Sequence, residues 1–263
     1  MNIHKQLIEA AQSNNLNRVK DLVDKGANVN YEDEDRMTPL LWASKDEDFE
    51  IFKYLVDKGA NVNHEDKDGM TPLLWAIVHQ NITMFKYLID KGADVNYENK
   101  GLVTPLLWAS RYEDFEMVKY LVDKGANVNY EDEDGATPLL WSADNNNLNM
   151  VKYLVENGAD VNHGDEDGIT PLLLSADNNN LEMVRYLIRK GANVNYETNI
   201  WKTPLLWAIK RQNLEMVKYL IENGANVNPE TKYGTTPLLC SSDNKNDLEM
   251  MKYLIEKEAN QKQ

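Results

Sequence analysis

The stretch Thr38-Pro39-Leu40-Leu41-Trp42-Ala43 returns unchanged from Thr71, Thr104 and Thr203. Close variants begin at Thr137 (TPLLWS), Thr170 (TPLLLS) and Thr236 (TPLLCS), and each neighbouring pair of these threonines is 33 residues apart. A fixed period of this kind marks a repeat array, in which each unit buries its apolar face on its neighbours rather than in one central core.

Outward from Thr38, the local grammar is explicit. A Thr followed by Pro starts a helix: the hydroxyl accepts from a free backbone N–H, and the N–H that proline lacks would have had no intrahelical partner there. The spacing predicts a first helix through about Ser44, a loop at 45–48, and a second helix over FEIFKYLVDK. That helix stops at Gly59, a residue that takes a left-handed C-terminal cap without steric penalty. The Ala60-Asn61-Val62-Asn63 that follows, with its acidic run, is expected to form an extended finger to the next unit. At about 100° per residue, Phe49, Phe52, Leu55 and Val56 share one apolar arc of the second helix, with Glu50, Lys53 and Asp57 opposite. That helix is assigned to the outer layer. In the first helix Leu40, Ala43 and Ser44 face the partner helix, whereas Trp42 lies about 160° from Leu40 and points to the other surface.

The array is expected to form one domain over residues 1–263: an N-terminal cap at 1–32, internal repeats at 33–65, 66–98, 99–131, 132–164, 165–197 and 198–230, and a C-terminal cap at 231–263. In the first unit Leu7, Ala10, Leu16 and the Gly26 to Asn30 run keep the pattern, while Lys5, Gln6 and Glu9 supply the polar outer face a terminal repeat needs. In the last, DNKND holds one extra residue and Glu258 replaces the usual Gly.

The 33-residue period and its motif resemble the ankyrin repeat, whose signature is Thr-Pro-Leu-His-x-Ala. The resemblance spans the chain and implies an all-α solenoid of about eight helix-turn-helix repeats joined by β-turn fingers, including both caps. It further implies a non-catalytic scaffold binding a partner protein or peptide on its concave face and fingers. One departure is systematic. Leu41 and its equivalents replace the His that in that family ties neighbouring fingers, so those ties are not expected here.

Composition narrows the function classes. With 42% hydrophobic residues and a net charge of −15, the chain reads as globular, and no apolar run approaches a membrane span. The N-terminus lacks a secretory h-region, and the lone Cys240 has no internal disulfide partner, which fits an intracellular, cytoplasmic setting. Four scattered histidines, no Cys-His or Ser-His-Asp set and no Gly-rich phosphate loop argue against an enzyme, and no cofactor is expected. The DEDG run fails as a calcium loop because Tyr130 and Trp141 occupy its first and twelfth positions. His64 with Asp66 and Asp68, and His163 with Asp165 and Asp167, offer at most a weak divalent site, against ordinary surface histidine; no metal is expected.

Three features are candidates for binding. One is the row Trp42, Trp75, Trp108, Trp141, Leu174, Trp207 and Cys240, which either anchors a ligand or fills space between helices. Another is the fingers, which carry 17 acidic and four basic residues. They would attract a basic protein or peptide and disfavour duplex nucleic acid, or simply keep the protein soluble and monomeric. The third is a set of departures from the period: by resemblance, Arg111, Tyr112, Trp201, Lys202, Lys210 and Arg211 line the groove and are the contact candidates.

Two further readings stand beside the scaffold. The ankyrin domain of the latent antiviral ribonuclease binds 2′,5′-oligoadenylate with aromatics just before the motif Thr and a finger lysine. Here Trp201 and Lys202 echo that arrangement one residue out of register, so small-ligand or oligonucleotide recognition by concave-face Trp, Lys and Arg is the runner-up. The abundance of Asn, Lys, Glu and Tyr suggests an AT-rich genome, and ankyrin arrays are widespread in intracellular bacteria and large viruses; a host-directed effector, acting in a host cell, is the third.

Overall fold

The structure is a computed structural model, and it describes residues 2–198, 203–228, 236–242 and 248–261. Among them are sixteen helices and no strand. They fall in pairs, as the all-α expectation requires. By their contacts the residues form two units, 1–127 and 128–263. The first unit holds α1 (Ile3–Gln12), α2 (Leu16–Asp24), α3 (Pro39–Lys45), α4 (Phe49–Asp57), α5 (Pro72–Val78), α6 (Ile82–Asp90), α7 (Pro105–Arg111) and α8 (Phe115–Asp123). The second holds α9 (Pro138–Asp144), α10 (Leu148–Glu156), α11 (Pro171–Asp177), α12 (Leu181–Arg189), α13 (Pro204–Lys210), α14 (Leu214–Glu222), α15 (Pro237–Ser242) and α16 (Leu248–Gln261). No described helix is long and apolar enough to cross a membrane.

Each boundary has a local cause. The hydroxyls of Thr38, Thr71, Thr104, Thr137, Thr170 and Thr203 accept from the N–H three residues on, with Pro at the first helical position. Asp48, Asn81, Asp114, Asn147, Asn180 and Asn213 cap the second helices in the same way. The residue before each of these caps is left-handed without being Gly, with φ from +53° at Gln80 to +60° at Glu113. Such a turn reverses the chain between the two helices of a pair, at a cost of roughly 1–2 kcal/mol in an L-residue.

Within each unit, successive first helices pack on one another, α1 on α3, α3 on α5 and α5 on α7, and then α9 on α11, α11 on α13 and α13 on α15. Leu40, Leu41, Ala43 and Ser44 of α3 are buried, as are Ile51, Phe52 and Leu55 of α4. Glu50, Lys53 and Asp57 are exposed, so the second helices do present the polar face read from their periodicity.

With Leu41 and its equivalents in the place of the motif histidine, the fingers are tied together chiefly by asparagine. The last Asn of each Gly-Ala-Asn-Val-Asn run reaches into the next repeat and makes two bonds there. Asn30 Nδ2 donates to Gly59 O at 3.3 Å while its Oδ1 accepts from Asn61 N at 2.7 Å. Asn63 does the same with Gly92 (3.1 Å) and Asp94 (2.9 Å), and Asn96 with Gly125 (3.1 Å) and Asn127 (2.9 Å). In the second unit Asn129, Asn162 and Asn195 repeat the pattern on Gly158 with Asp160, Gly191 with Asn193, and Gly224 with Asn226. The residues after Asn63, Asn96 and Asn162 contribute too. His64 Nε2 meets Arg36 O at 3.0 Å, His163 Nε2 meets Gly135 O at 2.9 Å, and Tyr97 donates to Glu65 of the preceding finger.

Candidate binding surface

The fingers begin from an acidic residue whose carboxylate is committed to its own turn. Asp33 Oδ1 accepts from the N–H groups of Asp35 (3.0 Å) and Met37 (2.9 Å), and Asp66, Asn99, Asp132 and Asp165 brace their fingers identically. Neighbouring fingers exchange backbone bonds, Lys67 N to Asp35 O and Glu166 N to Asp134 O, both at 3.1 Å. Part of the acidity is answered within the array. Arg36 pairs with Glu65 at 2.9 Å and Lys67 with Asp35 at 2.8 Å. The Tyr97 hydroxyl and then the Arg36 guanidinium, both bonded to Glu65, hold that carboxyl below its ordinary range, while burial and the Glu65 charge push the Tyr97 phenol up. The histidine-aspartate pairs are likewise occupied in structural bonds, and among the described residues no cluster of three or more His, Cys, Asp or Glu is placed to hold a metal ion.

The Trp row is half-buried along its described length: Trp42, Trp75 and Trp108 in the first unit, Trp141, Leu174 and Trp207 in the second. The rings of Trp42, Trp75, Trp108 and Trp207 are each partly covered by a side chain three or four residues on, the spacing that places two residues on one helical face. Lys45 Nζ lies 5.2 Å from the Trp42 ring and 5.3 Å from that of Trp75, so one ammonium serves two repeats. His79 stacks on Trp75 at 5.8 Å, Tyr112 on Trp108 at 5.4 Å, and Lys210 Nζ sits 4.3 Å from the Trp207 ring. The row is therefore neither an open platform nor part of the core.

The indole nitrogens divide into two kinds. Trp42 donates to Asp33 Oδ2 at 3.3 Å and Trp141 to Asp132 Oδ2 at 3.1 Å. The Trp75 and Trp108 N–H groups are buried with no hydrogen-bond partner. For Trp108 the reason is chemical: its finger carries Asn99 in place of Asp. The Asn99 carbonyl oxygen is taken by Gly101 and Val103, and an amide nitrogen cannot accept. Nothing in the structure explains the Trp75 case, whose finger has Asp66.

Among the contact candidates, Arg111 and Tyr112 are exposed at the end of α7, with Tyr112 38% exposed. Lys210 and Arg211 are exposed at the end of α13, where Arg211 Nε binds Asp177 at 3.0 Å. Trp201 and Lys202 lie outside the described residues. The two described cationic candidates of the second unit, Lys210 and Arg211, are thus already engaged, one with a Trp ring and one with a carboxylate.

One further residue belongs with these. Leu102 is 40% exposed and left-handed, with φ +52°, at the finger position held by Gly69, Gly135 and Gly168. A Leu in this conformation suffers the clash of Cβ with its own backbone that glycine avoids. The signal was present in the sequence as the glycine displaced to Gly101. Leu102 and Tyr112 bracket α7 at its two ends, with Trp108 on the helix between them.

No curated protein matches the chain. A family model for ankyrin repeats, written in copies of three, matches residues 7–99, 106–198, 158–231 and 196–263. Paired helices started by Thr-Pro, ended by a left-handed Gly and linked by braced fingers are what that match describes over nearly the whole length, and the chain belongs to the ankyrin repeat family.

Proposed function

We propose that this chain is a non-catalytic scaffold that holds a partner protein or peptide on the α7 repeat, with Leu102 and Tyr112 as its apolar contacts. Ankyrin repeats generally mediate protein–protein interaction, and the family is typically non-catalytic. The observation that carries the finer reading is where the exposed apolar side chains lie. Outside the last helix pair, Leu102 and Tyr112 are the exposed large hydrophobics among the described residues, and both belong to repeat 99–131. Leu102 takes the left-handed conformation that Arg36 also takes at this finger position, and there it presents an apolar side chain to solvent. Arg111 and the half-buried Trp108 complete the surface.

The fingers of the first unit, residues 32–36, 65–69 and 98–102, carry eight acidic and three basic residues. Their field favours a partner whose apolar anchor is flanked by Lys or Arg. Within the first unit Trp42 and Trp75 extend the candidate surface, and in the second unit Trp141, Trp207, Lys210 and Arg211 are candidates of their own, with the exposed edges of the rings rather than their full faces available.

The test is affinity capture with three baits: the native chain, a Leu102→Gly/Tyr112→Ser double variant, and Lys53→Ala on the outer helix. Proteins held by the native bait and the Lys53→Ala bait but lost from the double variant support the reading, provided that added salt weakens their capture. Partners retained equally by all three baits overturn it.

A further inference from the structure

The Lys45 ammonium, in the last turn of α3, stands 5.2 Å from the Trp42 ring of its own helix and 5.3 Å from the Trp75 ring of α5. Both distances lie inside the ~6 Å over which the negative face of an indole attracts a cation. The ammonium therefore occupies a gap between two aromatic rings from successive repeats, each of them half-buried. The Trp42 N–H donates to Asp33 Oδ2 at 3.3 Å, and a carboxylate on that N–H makes the ring richer in electrons and deepens its attraction for a cation.

A tie between repeats would recur with the period, as the bonds of Asn63 do. The Lys45 position does not: its equivalents are Val78, Arg111, Asp144, Asp177 and Lys210. The fit is also loose. Where one ammonium meets one indole, Lys210 over Trp207, the separation is 4.3 Å, shorter than either Lys45 distance. A bare ammonium thus does not press on both rings at once, whereas a nitrogen carrying methyl groups is wider and fills the gap on both sides. Methylation also replaces the N–H donors that make a lysine ammonium strongly hydrated, so a methylated nitrogen gives up less water than Lys45 does on entering.

We propose that the gap between Trp42 and Trp75 is a binding site for an N-methylated lysine side chain of a partner protein, with Lys45 as the built-in occupant that the ligand displaces. The acidic fingers of the first unit set the source of the ligand: they draw in a cation and repel the phosphate that a choline headgroup carries. The displaced Lys45 ammonium returns to water at the end of α3, where the helix dipole favours positive charge. The proposal rests on the scaffold reading only in placing the ligand on a protein.

The test titrates the full chain with the amide of acetylated, side-chain-trimethylated lysine at constant ionic strength, following the N-methyl proton resonance by NMR. Methyl protons held over an indole face move upfield. The expected result is a saturable upfield shift, with a dissociation constant about tenfold lower in Lys45→Ala, which empties the gap. Trp75→Leu is expected to abolish the shift, and Lys210→Ala, in the second unit, to leave the constant unchanged. The unmethylated lysine amide and phosphocholine are expected to bind at least about tenfold more weakly than the trimethylated probe. Lys45 is exposed, so its alanine variant keeps the fold and the comparison stands even where Trp75→Leu loses helix. No saturable shift in Lys45→Ala overturns the proposal, as does an affinity that this variant leaves unchanged, a shift that survives in folded Trp75→Leu, or equal binding of the unmethylated or phosphocholine probe. Capture by the α7 surface is measured separately, so either reading can fail while the other holds.

Discussion

Replacing Asn63 by Ala removes a two-pronged tie between consecutive repeats while leaving the apolar core untouched. The side chain is exposed; its Nδ2 donates to Gly92 O at 3.1 Å and its Oδ1 accepts from Asp94 N at 2.9 Å. A hydrogen bond contributes about 0.5–1.5 kcal/mol net, and where water can take the vacated place the lower half of that range applies. Two bonds set the expected loss at about 1–2 kcal/mol. Asn61→Ala is the internal control, since its Oδ1 accepts from the N–H of Asn63 in its own repeat at 3.0 Å. Its loss is expected to be about half as large, near 0.5–1 kcal/mol. The assay is urea unfolding followed by circular dichroism. In a stacked array, stability is a sum of intrinsic and nearest-neighbour terms, so Asn63→Ala lowers the midpoint and also makes the transition shallower. Asn61→Ala lowers the midpoint alone. Asn63→Asp is expected to cost more than Asn63→Ala, because it keeps the acceptor for Asp94 but turns an oxygen toward the Gly92 carbonyl. A loss under about 0.5 kcal/mol for Asn63→Ala, or equal effects of the two alanine variants, refutes the reasoning.

Leu102→Gly is expected to raise stability by about 1 kcal/mol in the same assay by relieving the left-handed Leu, even as it weakens partner capture; a loss of stability would show that Leu102 packs usefully in the free protein. Asn99→Asp gives the buried Trp108 N–H the acceptor that Asp33 gives Trp42, with an expected gain of about 1 kcal/mol that disappears in a Trp108→Phe background. Glu65 is held below its ordinary value of 4.5 by the Tyr97 hydroxyl and then by Arg36. Because the unfolded chain binds that proton more readily, the contribution is fully present above the ordinary carboxylate range and is lost as pH falls through the lower folded value. Glu65→Gln is therefore expected to flatten the dependence of the urea midpoint on pH below about 4.5, and an unchanged slope counts against the Tyr97–Glu65–Arg36 cluster.

Much of the fold was legible because its signals are local. Thr38 with Pro39, and Gly59 at a helix end, state their roles within a few residues, and a period repeated through the chain removes any ambiguity about where they apply. The Asn30, Asn63 and Asn96 ties were not legible in the same way. An Asn after a helix is equally good as a turn residue, and only the neighbouring repeat's Gly carbonyl and backbone N–H reveal the second use. Helical phase placed Trp42 on the face away from Leu40, but phase says nothing about depth. The depth comes from Lys45, His79, Tyr112 and Lys210, which lie over the rings, and a departure from the period at the end of the first helix does not reveal that its side chain folds back on the Trp of its own helix. Leu102 marks the opposite case: a shift of one glycine was visible as an irregularity, and only the backbone showed that a Leu had been left in the glycine conformation.

The Asn ties also bear on how such a chain changes its length. Each one joins a residue to the unit that follows it, always through the same two backbone groups, and its chemistry does not depend on which copies are involved. Duplicating or deleting a segment of 33 residues, wherever the cut falls, restores every such bond at the new junction without any compensating substitution. Near-identical motifs from Thr38, Thr71, Thr104 and Thr203 are what tandem copying leaves behind when the joint itself is indifferent to count. The hydrogen bond that steadies a finger is thus indifferent to how many 33-residue units the array holds.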